Sequence, residues 1–276
     1  MKIRHACSPG ETAAMNTQAL RKTFLIETLF KDNSVEWVYS HYDRVMIGGV
    51  RPVGESIFLA THPALRSVYF LERRELGIIN IGGPGMVNAG GQTYPLEKLS
   101  CLYIGKGEQE VRFSSTEPGN PAQFYLLSTL AHATCPTQMY TSQDALPATV
   151  GSSETSNQRT IYKYIHADGI QSCQLVMGLT TLHTGSVWNT MPAHVHDRRM
   201  EAYLYFDIPE GQRVLHLMGT PDETRHIWLS DRQAVISPPW SVHSGCGTAS
   251  YSFIWGMGGE NKDYTDIDPV AIADLL

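Results

Sequence analysis

Apolar positions along this chain follow a two-residue period far more often than a helical one. Only residues 16–30, NTQALRKTFLIETLF, space them as a helix does. There Leu20, Phe24, Leu25 and Thr28 share a side, which predicts a short amphipathic helix. The tail, residues 268–276 (DPVAIADLL), predicts a final helical turn or two, with Asp268 as cap and Pro269 at the first helical position. Between these ends lie short runs rich in β-branched and aromatic residues, cut by Gly, Pro, Asn and Asp. WVYSHYDRVMIGGV, ELGIINIGGPGMVNAGGQTYPL, AQFYLLSTLA, SCQLVMGLTTL, EAYLYFDI and YSFIWGM are examples. Many short strands with regular turn signals predict a β-sandwich or barrel.

Residues 143–160, QDALPATVGSSETSNQRT, are polar and carry Pro, Gly and Ser, so they read as a linker with a boundary near residue 150. The halves on either side, 1–150 and 151–276, resemble each other faintly. FLERRELGIINI in the first and HDRRMEAYLYFDI in the second each run from an arginine pair through a glutamate into a strand, and glycine-bearing hairpins follow. This suggests an internal repeat of one barrel unit. No histidines precede the arginine pair in the first copy.

At 276 residues and 42% hydrophobic, the chain has ample material for a core. A formal net charge of -6, with no Lys/Arg run, gives no general attraction to nucleic acid or an anionic membrane. No apolar run is long enough for a signal peptide or a membrane-spanning helix. The five cysteines (7, 101, 135, 173 and 246) are scattered and odd in number, which points to reduced thiols in a cytoplasmic protein. The Gly-rich stretches GGPGMVNAGG and GMGGEN lack the context of a phosphate loop, and no GxSxG elbow occurs.

The chemistry concentrates in WNTMPAHVHDRRMEAYLYF. His194 and His196 are two apart, so on a strand they face the same way, and two imidazoles on one face suit a shared metal ion. Glu201 lies five beyond His196, the wrong parity for one unbroken strand. A turn through Asp197-Arg198-Arg199-Met200 would restart the strand with Glu201 facing inward beside the histidines, followed by Tyr203 and Tyr205 on the same face. His243, after a Pro-Pro turn in SPPWSVHSG, is the fourth candidate ligand. Three imidazoles and a carboxylate suit Zn, Mn, Fe, Co or Ni, and ligand types alone do not choose among them. For Arg198 and Arg199 two readings stand: they solvate the turn, or at least one reaches a substrate carboxylate as a bidentate fork. Arg225, beside His226, is a further cation placed at the pocket. His216 and the cysteines read as structural. Trp228, Trp240, Tyr251 and Trp255 read as core or rim aromatics rather than sugar-stacking platforms.

H-x-H-x4-E with a later histidine resembles the cupin superfamily. WNTMPAHVHDRRMEAYLYF, TRHIWLSDRQAVISPPWSVHSG and FIWGMGGEN are similar to the 5-keto-4-deoxyuronate isomerase family in particular. So are FLIETLF, VYSHYDRVMIGG, YFLERRELGIINIGG, LYIGKG and TSNQRTIYKY, which extends the resemblance over nearly the whole chain. The resemblance implies a mainly β protein of two cupin-like β-barrel (jelly-roll) domains with a few short helices. Residues 1–150 would form a domain without metal ligands, and 151–276 a domain holding zinc through His194, His196, Glu201 and His243. It further implies a cytoplasmic homohexamer of pectin and uronate breakdown.

The reaction so implied is an aldose-ketose isomerisation of a keto-deoxy-uronate, moving a carbonyl from C1 to C2. A divalent metal suits it as a Lewis acid and orienting template. A base must then carry a proton between C2 and C1. Glu223, His226 and Tyr251 are the candidates, and a hydride shift would need none. Two other activities are compatible with the ligand set: an Fe(II) cupin dioxygenase, and a non-catalytic cupin that binds sugar acids.

Overall fold

The computed structural model describes residues 1–276 as two β-barrels, each built from a seven-stranded and a four-stranded sheet. In the first barrel the large sheet runs, edge to edge, Lys2–Arg4, Val35–Ser40, Met46–Val50, Phe124–Leu130, Arg74–Asn80, Cys101–Ile104 and Gln138–Tyr140. In the second it runs Ala148–Val150, Arg159–Ile165, Val176–Leu182, Ser252–Gly259, Arg199–Phe206, Gln233–Ser237 and Leu25–Ile26. The small sheets run Ile57–Phe58, Val111–Ser115, Gly85–Ala89, Gln92–Leu96 and Trp188–Asn189, Ser244–Gly247, Val214–Thr220, Glu223–Leu229. Apart from the edge strands of the large sheets, the order of strands in the chain maps one barrel onto the other, so the faint sequence repeat is a repeat of topology. Arg74 and Arg199 open corresponding strands.

The central strands are buried on both faces, and that shapes their composition. Arg74–Asn80 and Arg199–Phe206 contain no exposed residue. One face of each large sheet lines its own barrel. The other packs against the large sheet of the other barrel, with Ile79, Tyr125 and Leu127 joining Ile165, Val176 and Ile254 in one core. Close approach is needed there: a Cβ on Gly77 would lie 2.7 Å from Met177 Sδ, and one on Gly256 would lie 2.3 Å from Leu127 Cδ2. Covered on both sides, such strands read as continuous apolar runs and alternate only weakly.

The amphipathic helix is shorter than its sequence period suggests. It spans Thr17–Phe24, capped by the Asn16 side chain, which accepts from the Ala19 amide. Leu25 and Ile26 then leave it to pair with Val235 and Ala234 at the edge of the second barrel. Tertiary pairing there outweighs helical propensity. The tail also departs from expectation: Asp268–Pro269 forms a strand against His194–Val195, and only a 3-10 turn, Ile272–Asp274, follows. The polar stretch 143–160 contains the strand Ala148–Val150, which forms a hairpin with Arg159–Ile165. Strand pairing therefore passes from the first barrel to the second between Tyr140 and Ala148, with Leu25–Ile26 crossing over. No helix is long and apolar enough to cross a membrane.

Candidate metal centre

Three local features bring the donors together. His194 sits on a two-residue strand held against the C-terminal segment through Asp268 and Pro269. The chain then turns, with the Arg199 amide directed at the His196 carbonyl at 3.4 Å. The next strand starts at Arg199, which sets Glu201 facing into the barrel. His243 comes from the turn after Pro238-Pro239, just ahead of the strand Ser244–Gly247.

One ligand atom from each of His194, His196, Glu201 and His243 lies within 4.8 Å of every other. Glu201 Oε2 is 3.1 Å from His196 Nε2 and 3.0 Å from His243 Nε2. His243 Nε2 is also 3.0 Å from His194 Nε2.

The surrounding hydrogen bonds fit a cation. His196 Nδ1–H donates to the Arg199 carbonyl at 2.9 Å, and His243 Nδ1–H to the Ser241 carbonyl at 3.3 Å. Both rings thereby turn Nε2 toward the Glu201 carboxylate, where the neutral imidazoles would ligate a cation. Electrostatics agree. Burial, then His243, pulls the His194 pKa down to about 3, so its ring is neutral and free to ligate. Burial opposes ionisation of Glu201, yet His243 and His196 together hold its carboxyl well below the usual range. His196 is raised: burial lowers it, and the Glu201 hydrogen bond and charge outweigh that.

Three of the donors, His194, His196 and Glu201, line a cavity of about 370 Å³, within the size range of small-molecule sites. Trp255 lies in its wall against Gly178, where an added Cβ would come 2.3 Å from the indole, and its Nε1–H donates to Thr180 Oγ1 at 3.1 Å. Tyr203 lines the cavity next to Glu201, its hydroxyl 3.4 Å from Thr190 Oγ1. Burial, then the Glu201 charge, holds that hydroxyl well above the usual tyrosine range.

Other residues singled out in the sequence are placed elsewhere. Arg199 lines the cavity, but its fully buried guanidinium is paired with Asp266 at 2.8 Å and donates to the Asn261 carbonyl at 3.1 Å. Arg198 is exposed outside the cavity, 3.9 Å from Glu260. Arg225 is not at the pocket either. It donates to the carbonyls of Ala13 and Met15 and so ties down the N-terminal segment. Glu223 and His226 are exposed on an edge strand of the small sheet, and neither lines the cavity. Tyr251 is buried, donates to Asn189 Oδ1 at 3.0 Å and does not line the cavity. None of the three candidate bases therefore meets the cavity. His216 is buried and accepts from the Tyr205 hydroxyl at 2.9 Å, as a structural histidine would.

Sequence reasoning passed over Arg159 and Lys163, two cations in the cavity wall. Their spacing on one strand was the available signal, hidden because the stretch reads as the end of a linker.

A model of the KduI/IolB family matches residues 28–272 of the chain. The 4-deoxy-L-threo-5-hexosulose-uronate ketol-isomerase of Shouchella clausii (strain KSM-K16) is 54% identical over 275 residues, 100% of each chain. The protein of the same name from Halalkalibacterium halodurans is 52% identical over 275 residues, again 100% of each. Among solved structures, an IolB-like protein from Salmonella typhimurium LT2 has a TM-score of 0.73 at 16% identity, covering 90% of this chain and 96% of that one. An oxalate decarboxylase from Lactobacillus farciminis, in a formate complex, has a TM-score of 0.59 at 9% identity, covering 86% and 83%. At such identities the structural likenesses speak to the fold alone.

Proposed function

The chain belongs to the KduI/IolB family, and from that premise we propose that it is a metal-dependent ketol-isomerase. It converts 4-deoxy-L-threo-5-hexosulose uronate to 3-deoxy-D-glycero-2,5-hexodiulosonate, a step of pectin and uronate breakdown. The carrying observation is the full-length identity to proteins of that name, joined to four convergent donors at a cavity of small-molecule size. His194, His196, Glu201 and His243 would hold one divalent ion, read here as zinc, with Mn, Fe, Co and Ni suited to the same donors. Bound there, the ion supplies Lewis acidity that polarises the substrate carbonyl and acidifies the adjacent C–H. We read the first barrel, with strands up to Tyr140, as lacking metal ligands, and the second, with strands from Ala148 onward and Leu25–Ile26, as the metal-bearing one. The homohexamer and the cytoplasmic location follow from the family resemblance. The acidic net charge supports a small-molecule partner rather than nucleic acid or membrane.

Moving a carbonyl from C1 to C2 requires a proton to pass from the C2 hydroxyl to the C1 oxygen, besides the transfer between carbons. We assign the oxygen-to-oxygen proton to Tyr203. It is the cavity-lining hydroxyl beside Glu201, and a tyrosine hydroxyl is protonated and able to donate at neutral pH. Glu201 is the one carboxylate lining the cavity, and its engagement with two imidazoles reserves it for the ion. Tyr203→Phe is expected to lower kcat by about 10²–10⁴-fold while leaving metal content unchanged. Steady-state kinetics with metal analysis measures this, and an unaltered kcat removes Tyr203 from the mechanism.

The function itself is tested by anaerobic incubation of metal-loaded protein with 4-deoxy-L-threo-5-hexosulose uronate. We expect stoichiometric conversion to the ketose without oxygen uptake. Binding without conversion, or a strict need for oxygen, would overturn the reading.

A further inference from the structure

Three strands from Glu201 in the same large sheet, the strand Arg159–Ile165 forms part of the cavity wall. Arg159, Ile161 and Lys163 alternate onto its inner face and line the cavity. Neither cation has a carboxylate within salt-bridge distance. Arg159 donates Nη1–H to the Asn157 carbonyl at 2.9 Å and is half-buried. Lys163 places its ammonium 4.7 Å from the centre of the Tyr264 ring. The third cation of the lining, Arg199, is neutralised by Asp266, and the sole lining carboxylate, Glu201, faces the imidazoles. The cavity thus combines ion-binding donors with two positive charges that no carboxylate pairs.

Strand register fixes where these charges stand. Lys163 pairs with Gly178, Gly178 with Trp255, and Trp255 with Tyr203, so Lys163 and Tyr203 occupy one row across the sheet. Three interstrand steps separate their α-carbons, about 14 Å, and both side chains turn inward. Gly178 brings no side chain of its own into that gap, and the Trp255 indole lies over it. Arg159 stands four residues along the same strand, about 13 Å from Lys163 at the α-carbon. The remaining space suits a short chain with a carbonyl at one end and an anion at the other.

We propose that Arg159 and Lys163 form the subsite for the substrate carboxylate, and that they select uronates over neutral sugars of the same skeleton. The assignment rests on the isomerase reading above. A guanidinium supplies a forked donor for a carboxylate, and an ammonium at the rim draws the anion in. Holding C6 at this wall presents C1 and C2 to the metal donors and Tyr203. The subsite also gives the stretch TSNQRTIYKY a role in binding.

The test uses metal-loaded Arg159→Gln, Lys163→Gln and the double variant, with the keto-uronate and its methyl ester as substrates. For the free acid we expect KM to rise about tenfold to hundredfold, as for loss of hydrogen bonds to a charged group, with the rise in KM exceeding the fall in kcat. The ester, lacking the charge, should bind wild type and variants alike, and Arg159→Lys should partly restore the acid. Lys163 is exposed, so its variant reports even where the Arg159 substitution unsettles the strand. Calorimetric binding of D-galacturonate to the same proteins separates this proposal from the isomerase reading. Should the wild type fail to isomerise yet bind galacturonate more tightly than the double variant, the reaction is wrong and the subsite stands. An unchanged KM and galacturonate affinity in the double variant, or equal losses for acid and ester, would overturn the subsite.

Discussion

Replacing His196 by alanine is expected to remove metal and isomerase activity together while both barrels stay folded. The residue contributes one of four converging donors, and its ring is oriented by the Arg199 carbonyl. Loss of even an outer partner of a metal ligand typically costs about 10–100-fold in affinity, so loss of the ligand itself should cost more. The structural penalty is modest by comparison. The Arg199 carbonyl loses its donor and a small void opens, together about 1–3 kcal/mol. Metal analysis, circular dichroism and the isomerase assay on one preparation check all three parts. Wild-type activity in this variant would contradict the metal assignment.

The largest stability effect is expected far from the metal, at Glu75. This carboxylate is fully buried between the barrels. Its two oxygens accept from the backbone amides of Cys173, Gln174 and Leu175 at 2.7–2.8 Å, from the Tyr103 hydroxyl at 2.7 Å and from Thr129 Oγ1 at 2.8 Å. A residue of the first barrel thus satisfies the backbone that leads into Val176–Leu182 of the second. Glu75→Ala would leave these donors buried without an acceptor, each a substantial penalty. We expect a loss of about 4 kcal/mol or more, in the range reserved for broken buried networks. Urea unfolding should show a lowered midpoint, and a change below about 1 kcal/mol would mean that the donors find water instead.

Glu75 also shows how far a sequence repeat carries. FLERRELG and HDRRMEAY look parallel, and their second arginines do open corresponding strands. Met200, however, inserts one residue between Arg199 and Glu201. A single-residue offset on a strand exchanges its faces. Glu75 therefore points out of its barrel toward the neighbouring one. The position that matches Glu201 is Leu76, two residues after Arg74 and buried in the first barrel's own core. In the first barrel apolar packing occupies the place of the metal carboxylate.

Three of the four converging donors stand close together along the chain, and His243 comes from a distant turn. HxH puts two imidazoles on one strand face, and the DRRM turn corrects the parity of Glu201. Both are statements about neighbours within a few residues, where backbone geometry alone decides direction. The strand-rich character was legible for the same reason.

The cation wall was not. Which arginine or lysine meets the cavity depends on partners up to three strands away, and a period of two says which residues share a face without saying which face is inside. Arg198 and Arg225 lie outside because a turn and an edge strand carry them there, while Arg159 lines the cavity because its strand joins the large sheet that also carries Tyr203. The helix is cut at Phe24 for a related reason: Leu25 and Ile26 gain more from the sheet edge at Val235 and Ala234 than from another helical turn. Local periodicity, set by the backbone, determined the strands and the facing of His194, His196 and Glu201. Long-range pairing, set by which surfaces bury one another, decided what stands opposite those donors.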